Sequence, residues 1–250
     1  MAQSGSMKQY YYDLHIHSCL SPCGDDSSTP DSIAGMGELN GLDIMALTDH
    51  NTCKNCPAFF EAAHRHGILP IAGMELTTAE DIHAVCLFGT LEAAMEFDRE
   101  IEKRRILIPN RVEIFGNQLI CDSEDNVLSE EEYMLSNATT VSLEEAPSLA
   151  ERFGGICYPA HIDRPSNGVI EVLGCFPKYM NFRCAEVNNG EILYEMASLS
   201  KIEPQRIIVS SDAHYLWNIK EKKEFFTLKD IPVGSNNAGE YLLEFLRGNI

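Results

Sequence analysis

The sequence predicts an α/β protein in which strands and helices alternate and the strands form a parallel sheet or barrel. One observation is a series of seven short apolar or β-branched runs, several of them separated by segments with apolar residues at helical spacing. Another is the size of the chain, since 250 residues of which 44% are hydrophobic are enough to bury one sizeable core. We therefore expect one domain.

The candidate strands share a β-branched or apolar interior. They are YYYDLHIH at 10–17, LDIMALTDH at 42–50, ILPIAGMELT at 68–77, IHAVCLFGT at 82–90, GGICYPAH at 154–161, FRCAEVNN at 182–189 and QRIIVSSDAH at 205–214. The amphipathic segments between them are 30–40, 56–66, 91–104 and 142–153. Thr29 before Pro30 is typical of an N-cap followed by proline at the first helical position.

One region departs from this alternation, between residues 105 and 140. It contains FGNQLICDSEDNVLSEEEY, in which DSEDN is typical of a turn between two short strands. The region is too short for a core of its own, so we interpret it as a hairpin-bearing insertion. The opening letters MAQSGS, residues 1–6, resemble an expression remnant before a native Met7, which leaves 7–250 as the expected domain.

Composition restricts the classes of partner. The formal net charge of -19 argues against binding extended nucleic acid, which requires lysines and arginines against the phosphates. No apolar run approaches the roughly 18 residues of a membrane span, so no membrane partner is expected. The nine cysteines do not have the spacing of a secreted scaffold and favour free thiols in the cytoplasm. The pairs Cys19/Cys23 and Cys53/Cys56 are interpreted as structural thiols, with a shared disulfide or separate site as the alternative.

The histidines and several carboxylates concentrate at strand ends. His15 and His17 lie two apart in a strand, so their side chains project to the same face. In βα architectures, functional sites form where the carboxyl ends of the strands meet. The other residues at such positions are His50, His83, His161, His214, Asp13, Asp49, Glu75 and Asp212. These nitrogen and oxygen ligands suit Zn²⁺, Mn²⁺ or Fe²⁺, and their number predicts two or three ions.

The motifs DLHIHS, TDHN, GMEL, PAH and SDAH resemble those of the PHP (polymerase and histidinol phosphatase) family. They occur in the family's order and span residues 15 to 214, so the resemblance covers most of the chain. The resemblance implies a distorted seven-stranded (β/α) barrel, a trinuclear metal centre and phosphoesterase activity.

The resemblance also implies a set of metal ligands. His15, His17 and Asp212 would bind a first ion, and Glu75 would bridge to a second ion. His83 and His161 would hold that second ion, while His50 and His214 would bind a third.

The third site departs from the family pattern. Some members have another histidine six residues after the HxH pair, where this chain has Cys23. We expect a neighbouring carboxylate to replace it, and favour Asp25 over Asp26.

Further residues would assist the reaction, a phosphoester hydrolysis by a metal-activated water. Arg164 is expected to bind the substrate phosphate through bidentate hydrogen bonds, the alternative being a surface salt bridge. Asp212 or a histidine of the ring such as His214 would protonate the leaving group. Asp13 and Asp49 are expected to orient neighbouring ligands through hydrogen bonds.

The favoured substrate is a small phosphomonoester or nucleotide, because the chain is compact and acidic. Two alternatives come from other classes: a 3′–5′ exonuclease or oligonucleotide-degrading enzyme, and a non-catalytic metal-binding regulatory module. A metal-dependent amidohydrolase shares the barrel arrangement, but the motif set is more similar to that of the phosphoesterases.

Overall fold

The structure is a computed structural model that describes residues 7–229, 231 and 237–250. Residues 1–6, interpreted above as an expression remnant, lie outside the described residues. Within the described ranges, no helix combines the length and apolar character needed to cross a lipid bilayer.

Strands and helices alternate along the chain as the sequence predicts. The strands are β1 Met7–Ile16, β2 Ile44–Leu47, β3 Leu69–Thr77, β4 His83–Phe88, β5 Leu119–Cys121, β6 Val127–Glu130, β7 Ile156–Pro159, β8 Ala185–Val187, β9 Ile207–Val209 and β10 Phe225–Lys229. The α-helices are α1 Pro30–Asn40, α2 Cys56–Arg65, α3 Leu91–Glu102, α4 Val112–Phe115, α5 Ala146–Arg152, α6 Val169–Leu173, α7 Leu193–Ser200 and α8 Ala238–Arg247. Each of the seven candidate strands overlaps an observed strand, and β5 and β6 form the expected hairpin.

The main sheet has the strand order β10-β1-β2-β3-β4-β7, in which β1, β2 and β3 are parallel. Strands β8 and β9 form a separate parallel pair. Two contacts bring this pair to the edges of the main sheet: Ile162 after β7 donates to the carbonyl of Glu186 at 2.8 Å, and Ile16 bridges to Ala213. The mixed α/β class with a curled sheet is therefore confirmed, while a closed seven-stranded barrel stays a prediction.

The structure corrects the expectation of an all-parallel sheet. Strand β4 runs antiparallel to both β3 and β7, and β10 pairs antiparallel with β1. Only residues 78–82 connect β3 to β4, which is too short for the crossover that a parallel pair requires. His83 consequently begins its strand, and the reversal of β4 still places it at the rim formed by the carboxyl ends of β3 and β7.

Two layers bury the sheet. Helices α1, α2, α3 and α5 supply buried side chains to one core cluster, and α8 packs its apolar face into the cluster on the other side. Every residue of β2 and β3 is buried, as expected for strands covered on both faces.

The insertion is fastened to the rest of the domain through Asp125 in its hairpin turn. Helix α1 begins after Thr29 with Pro30 at its first turn, but the Thr29 hydroxyl does not cap the helix. It donates instead to Asp125 Oδ2 at 2.6 Å, and Asp125 Oδ1 accepts from the Asp31 amide at 2.8 Å. A carboxylate distant in sequence thus stabilises the helix N-terminus.

Candidate metal centre

Glu75, at the end of β3, occupies the middle of a buried cluster on the strand rim and is 1% exposed. Its Oε1 lies 2.9 Å from Nδ1 of His83 and 3.1 Å from Nε2 of His161. Its Oε2 lies 2.9 Å from Nδ1 of His50 and 3.3 Å from Nε2 of His17. One carboxylate therefore contacts imidazoles from four different segments of the chain.

Asp212, which follows β9, is the second carboxylate of the cluster. Its Oδ1 lies 3.1 Å from Nε2 of His17 and 3.4 Å from Nε2 of His15, and its Oδ2 accepts a hydrogen bond from Arg164. Asp212 and His161 both have positive φ angles, 54° and 26°. Such angles are costly for residues other than glycine and concentrate at functional sites.

Hydrogen bonds on the far side of two imidazoles fix their orientation. His15 Nδ1 donates to Glu186 Oε1 at 2.8 Å, which leaves Nε2 directed into the cluster. His17 Nδ1 donates to Ser21 Oγ at 2.8 Å, and that hydroxyl donates to Asp49 Oδ1 at 2.7 Å. A partner of this kind selects the tautomer and strengthens the opposite nitrogen as a ligand.

Asp13 and Asp49 lie where sequence reasoning expects positioning groups. Asp49 acts on His17 through Ser21, while Asp13 accepts from the amides of Ser211 and Lys220 at 3.0 and 3.1 Å. Asp13 therefore holds the backbone immediately before Asp212.

In the protein without metal, protons compensate the buried carboxylates. Burial opposes protonation of His15, but Glu186, Glu75 and Asp212 outweigh it and raise the pKa of His15 well above its ordinary value. Burial would raise the pKa of Glu75, yet His83, His15 and His50 hold it well below its usual range. A divalent ion would take the place of these protons.

Several buried atoms of the cluster lack a hydrogen-bond partner, which is the main indication that the residues fit metal ions. Among the described residues, no neighbour of His50 Nδ1, Glu75 Oε2 or Asp212 Oδ1 has hydrogen-bond geometry, although His50 Nδ1 and Glu75 Oε2 lie 2.9 Å apart. An unsatisfied buried polar atom is costly, and coordination would compensate it. Ligand atoms lie within 4.8 Å of one another in three groups: His15, His17, Glu75 and Asp212; His50, Glu75 and His83; and His17, His50 and His214.

The cluster brings together eight of the nine ligands predicted from the sequence: His15, His17, His50, Glu75, His83, His161, Asp212 and His214. The structure does not bring Asp25 to the cluster. Its carboxylate accepts from the amide and the hydroxyl of Ser27, and the carboxylate of Asp26 accepts from Asn117. Each is occupied by its own loop contacts outside the cluster.

The two cysteine pairs singled out in the sequence do not meet. Cys19 Sγ lies 3.6 Å from Cys121 Sγ, in the insertion hairpin. The thiols of Cys53 and Cys56 both donate to the carbonyl of Gly73, at 3.2 and 3.6 Å. These contacts support the interpretation of Cys19, Cys53 and Cys56 as structural thiols.

A cavity of about 270 Å³ opens above the cluster. It is lined by Cys23, His50, Glu75, His83, Ser136, His161, Arg164, Ser166, Asn167, Asp212 and His214. Arg164 thus faces the cavity and binds a buried carboxylate, which argues against the alternative of a surface salt bridge. Ser136 belongs to the insertion, so the insertion contributes part of the wall.

Sequence reasoning missed two residues of the site, Glu186 and Ser21, and interpreted Cys23, which lines the cavity, as a structural thiol. Glu186 could have been recognised because it lies inside the apolar run FRCAEVNN, and a carboxylate is rarely buried without a partner. No spacing rule indicated Ser21, because its role depends on the turn that follows β1.

Comparisons with known proteins agree with this geometry. The family model of the PHP domain matches residues 13–150. An error-prone DNA polymerase of Symbiobacterium thermophilum is 36% identical over 77 residues, which cover 31% of this chain and 7% of the polymerase. The chain thus spans a small part of that relative.

Solved structures show the same fold. The lesion-specific endonuclease PfuEndoQ of Pyrococcus furiosus superimposes with a TM-score of 0.66 at 18% identity, covering 96% of this chain and 56% of the endonuclease. A candidate metal-dependent phosphoesterase of Bifidobacterium adolescentis gives a TM-score of 0.56 at 15% identity, covering 96% and 98% of the two chains. With the family match over more than half of its length, the chain belongs to the PHP domain family.

Proposed function

We propose that this protein hydrolyses a phosphoester, and that its substrate is a small phosphomonoester or nucleotide. The observation that supports this most is the buried cluster of six histidines and two carboxylates beneath a cavity walled by Arg164. Two or three Zn²⁺, Mn²⁺ or Fe²⁺ ions held there would supply the positive charge that activates water and stabilises the reacting phosphoryl group.

Arg164 would bind the substrate phosphate. Its side chain is 44% exposed in the cavity wall and donates to Asp212 Oδ2 through one nitrogen, so other N–H groups of the guanidinium remain for a phosphate while the buried carboxylate keeps its partner. Its fixed fork of donors matches two phosphate oxygens.

Asp212 is a poor proton donor for the leaving group, and His214 would take that role only in a centre whose ions leave its Nε2 free. Burial would raise the pKa of Asp212, but His15 and His17 hold it well below its ordinary value, so this carboxylate is ionised. His214 is partly exposed at the cavity and donates through Nδ1 to the Asp212 carbonyl at 2.9 Å. Its Nε2 therefore remains for a metal ion or for the leaving group.

An aromatic pair that closely follows His214 in the sequence favours a substrate that carries a base. Tyr215 follows His214 directly and stacks on Trp217 with ring centroids 4.8 Å apart, and Trp217 is 71% exposed. Nucleobases stack on such rings. A mononucleotide would use the pair and still avoid the repulsion that a long polyanion meets from a net charge of -19.

A second candidate is the end or a lesion of a nucleic acid strand. The resemblance of the fold to a lesion-specific endonuclease and the match to a DNA polymerase favour it. The third candidate is a non-catalytic metal-binding module. Turnover of any substrate would exclude this candidate.

The test is phosphate release from phosphomonoesters and mononucleotides, and strand cleavage of oligonucleotides and abasic duplex DNA, with Zn²⁺, Mn²⁺ or Fe²⁺ added. We expect turnover of mononucleotides and a large loss of kcat/KM in Arg164→Ala. Trp217→Ala should raise the KM for nucleotides and leave the KM for p-nitrophenyl phosphate unchanged. Tyr179→Ala, which alters another exposed aromatic residue, is the control and should change neither KM. Cleavage of DNA alone would favour the second candidate.

A further inference from the structure

Cys23 lies in the turn between β1 and α1, and that turn is tightly fixed. The amide of Gly24 donates to the Ser21 carbonyl at 2.8 Å, and the amide of Asp25 donates to the His214 carbonyl at 2.9 Å. A side chain at position 24 would place its Cβ 2.5 Å from the Ser18 carbonyl oxygen, so the turn requires glycine there. The loop is therefore held against the segment that carries His214.

This arrangement places Cys23 in the wall of the metal cavity. Cys23 lines the cavity together with His50 and His214. Its thiol, on an exposed residue, therefore opens on the same space as the two imidazoles.

An independent observation indicates that this corner of the cavity binds a ligand. His50 is 4% exposed, and its Nδ1 lies 2.9 Å from Glu75 Oε2 without hydrogen-bond geometry, as two atoms that share an ion would. Nitrogens of His17, His50 and His214 also lie within 4.8 Å of one another. Three imidazoles of this spacing leave one position of a tetrahedral ion for another donor.

We propose that Cys23 supplies a thiolate ligand to the ion bound by His50 and His214, a role that sequence reasoning gave to Asp25. The proposal depends on the metal centre of the proposed function and adds the identity of a ligand. On binding, the thiol loses its proton to solvent as the sulfur–metal bond forms. A thiolate donor favours Zn²⁺ or Fe²⁺ over Mn²⁺ or Mg²⁺ at this position.

Reconstitution with Co²⁺ tests the proposal, because a thiolate ligand gives a near-ultraviolet charge-transfer band that nitrogen and oxygen ligands do not. We expect the band in the wild-type protein, its loss in Cys23→Ser and its retention in Cys175→Ser, which alters another exposed cysteine. Cys23→Ser should also weaken the affinity of one Co²⁺ site at least tenfold, and Cys23→His should restore that affinity without the band. Zn²⁺ should slow alkylation of Cys23 in the unaltered protein, which needs no variant to fold.

Two results would overturn the proposal and are distinguishable. Full Co²⁺ binding without the band, or with the band retained in Cys23→Ser, would exclude Cys23 as a ligand and leave the metal centre standing. No Co²⁺ binding at any site would remove the proposal and the proposed function together.

Discussion

Replacing Glu186 with glutamine tests how the protein orients its metal ligands. Glu186 is fully buried, and its Oε1 accepts from His15 Nδ1 at 2.8 Å and from the His161 amide at 3.2 Å. The amide oxygen of glutamine can accept the same two hydrogen bonds, so the ring of His15 stays in place. The substitution removes the negative charge that strengthens Nε2 as a donor.

The expected loss in metal affinity follows from this contact. Altering a carboxylate that orients a metal-bound histidine lowers affinity by about 10- to 100-fold, or about 1.4 to 2.7 kcal/mol. Glu186→Ala should lose more, because it leaves the His15 ring and the His161 amide without their acceptor.

Titration calorimetry with Zn²⁺, supported by competition with a chelator, measures this loss. Glu195→Gln is the matched control, since Glu195 is an exposed carboxylate on the nearby helix α7. Wild-type affinity in Glu186→Gln would refute the claim that Glu186 acts on the ions through His15.

Three other perturbations address the pH response and the scaffold. The pKa of His15 is raised in the folded protein, so its contribution to stability is complete below pH 6.5 and is lost as the pH rises through the folded-state pKa. Thermal unfolding of the metal-free protein should therefore show lower stability at higher pH, while the affinity for Zn²⁺ should increase. An affinity for Zn²⁺ that does not change with pH would contradict this. Burial raises the pKa of Asp98, whose Oδ1 accepts from the Cys53 amide at 2.8 Å. In urea unfolding at pH 7, Asp98→Asn should keep or increase stability, whereas Asp98→Ala should cost about 1–3 kcal/mol, and equal losses would refute the role of Oδ1. Asp125→Ala should cost about 1–2 kcal/mol by removing the cap of α1, with Asp125→Asn milder, and no loss in either variant would contradict the cap.

The strands and most of the site could be predicted because their signals are local. A histidine or carboxylate that ends an apolar run lies at a rim by virtue of strand geometry alone, as with Glu75 in GMEL and Asp212 in SDAH. Short-range patterns also located the hairpin turn around Asp125.

The remaining features depend on contacts between distant segments. The direction of β4 follows from the length of its connection to β3, and β10 is visible as a strand through its pairing with β1. The sequence favours Asp25 as an oxygen donor in the loop after His17, but the turn at Gly24 places Cys23 in the cavity wall with His50 and His214. Glu186 reaches His15 across 171 positions of sequence, a distance that no motif spans.

The most direct test of the account is the number of divalent ions bound per chain, measured by elemental analysis after reconstitution with Zn²⁺ or Mn²⁺. The account predicts two or three ions in the wild-type protein. It predicts fewer ions in His17→Ala, together with a loss of phosphate release. His64→Ala, an exposed histidine on α2, should match the wild type. A reconstituted wild-type protein that binds no metal would contradict the central claim.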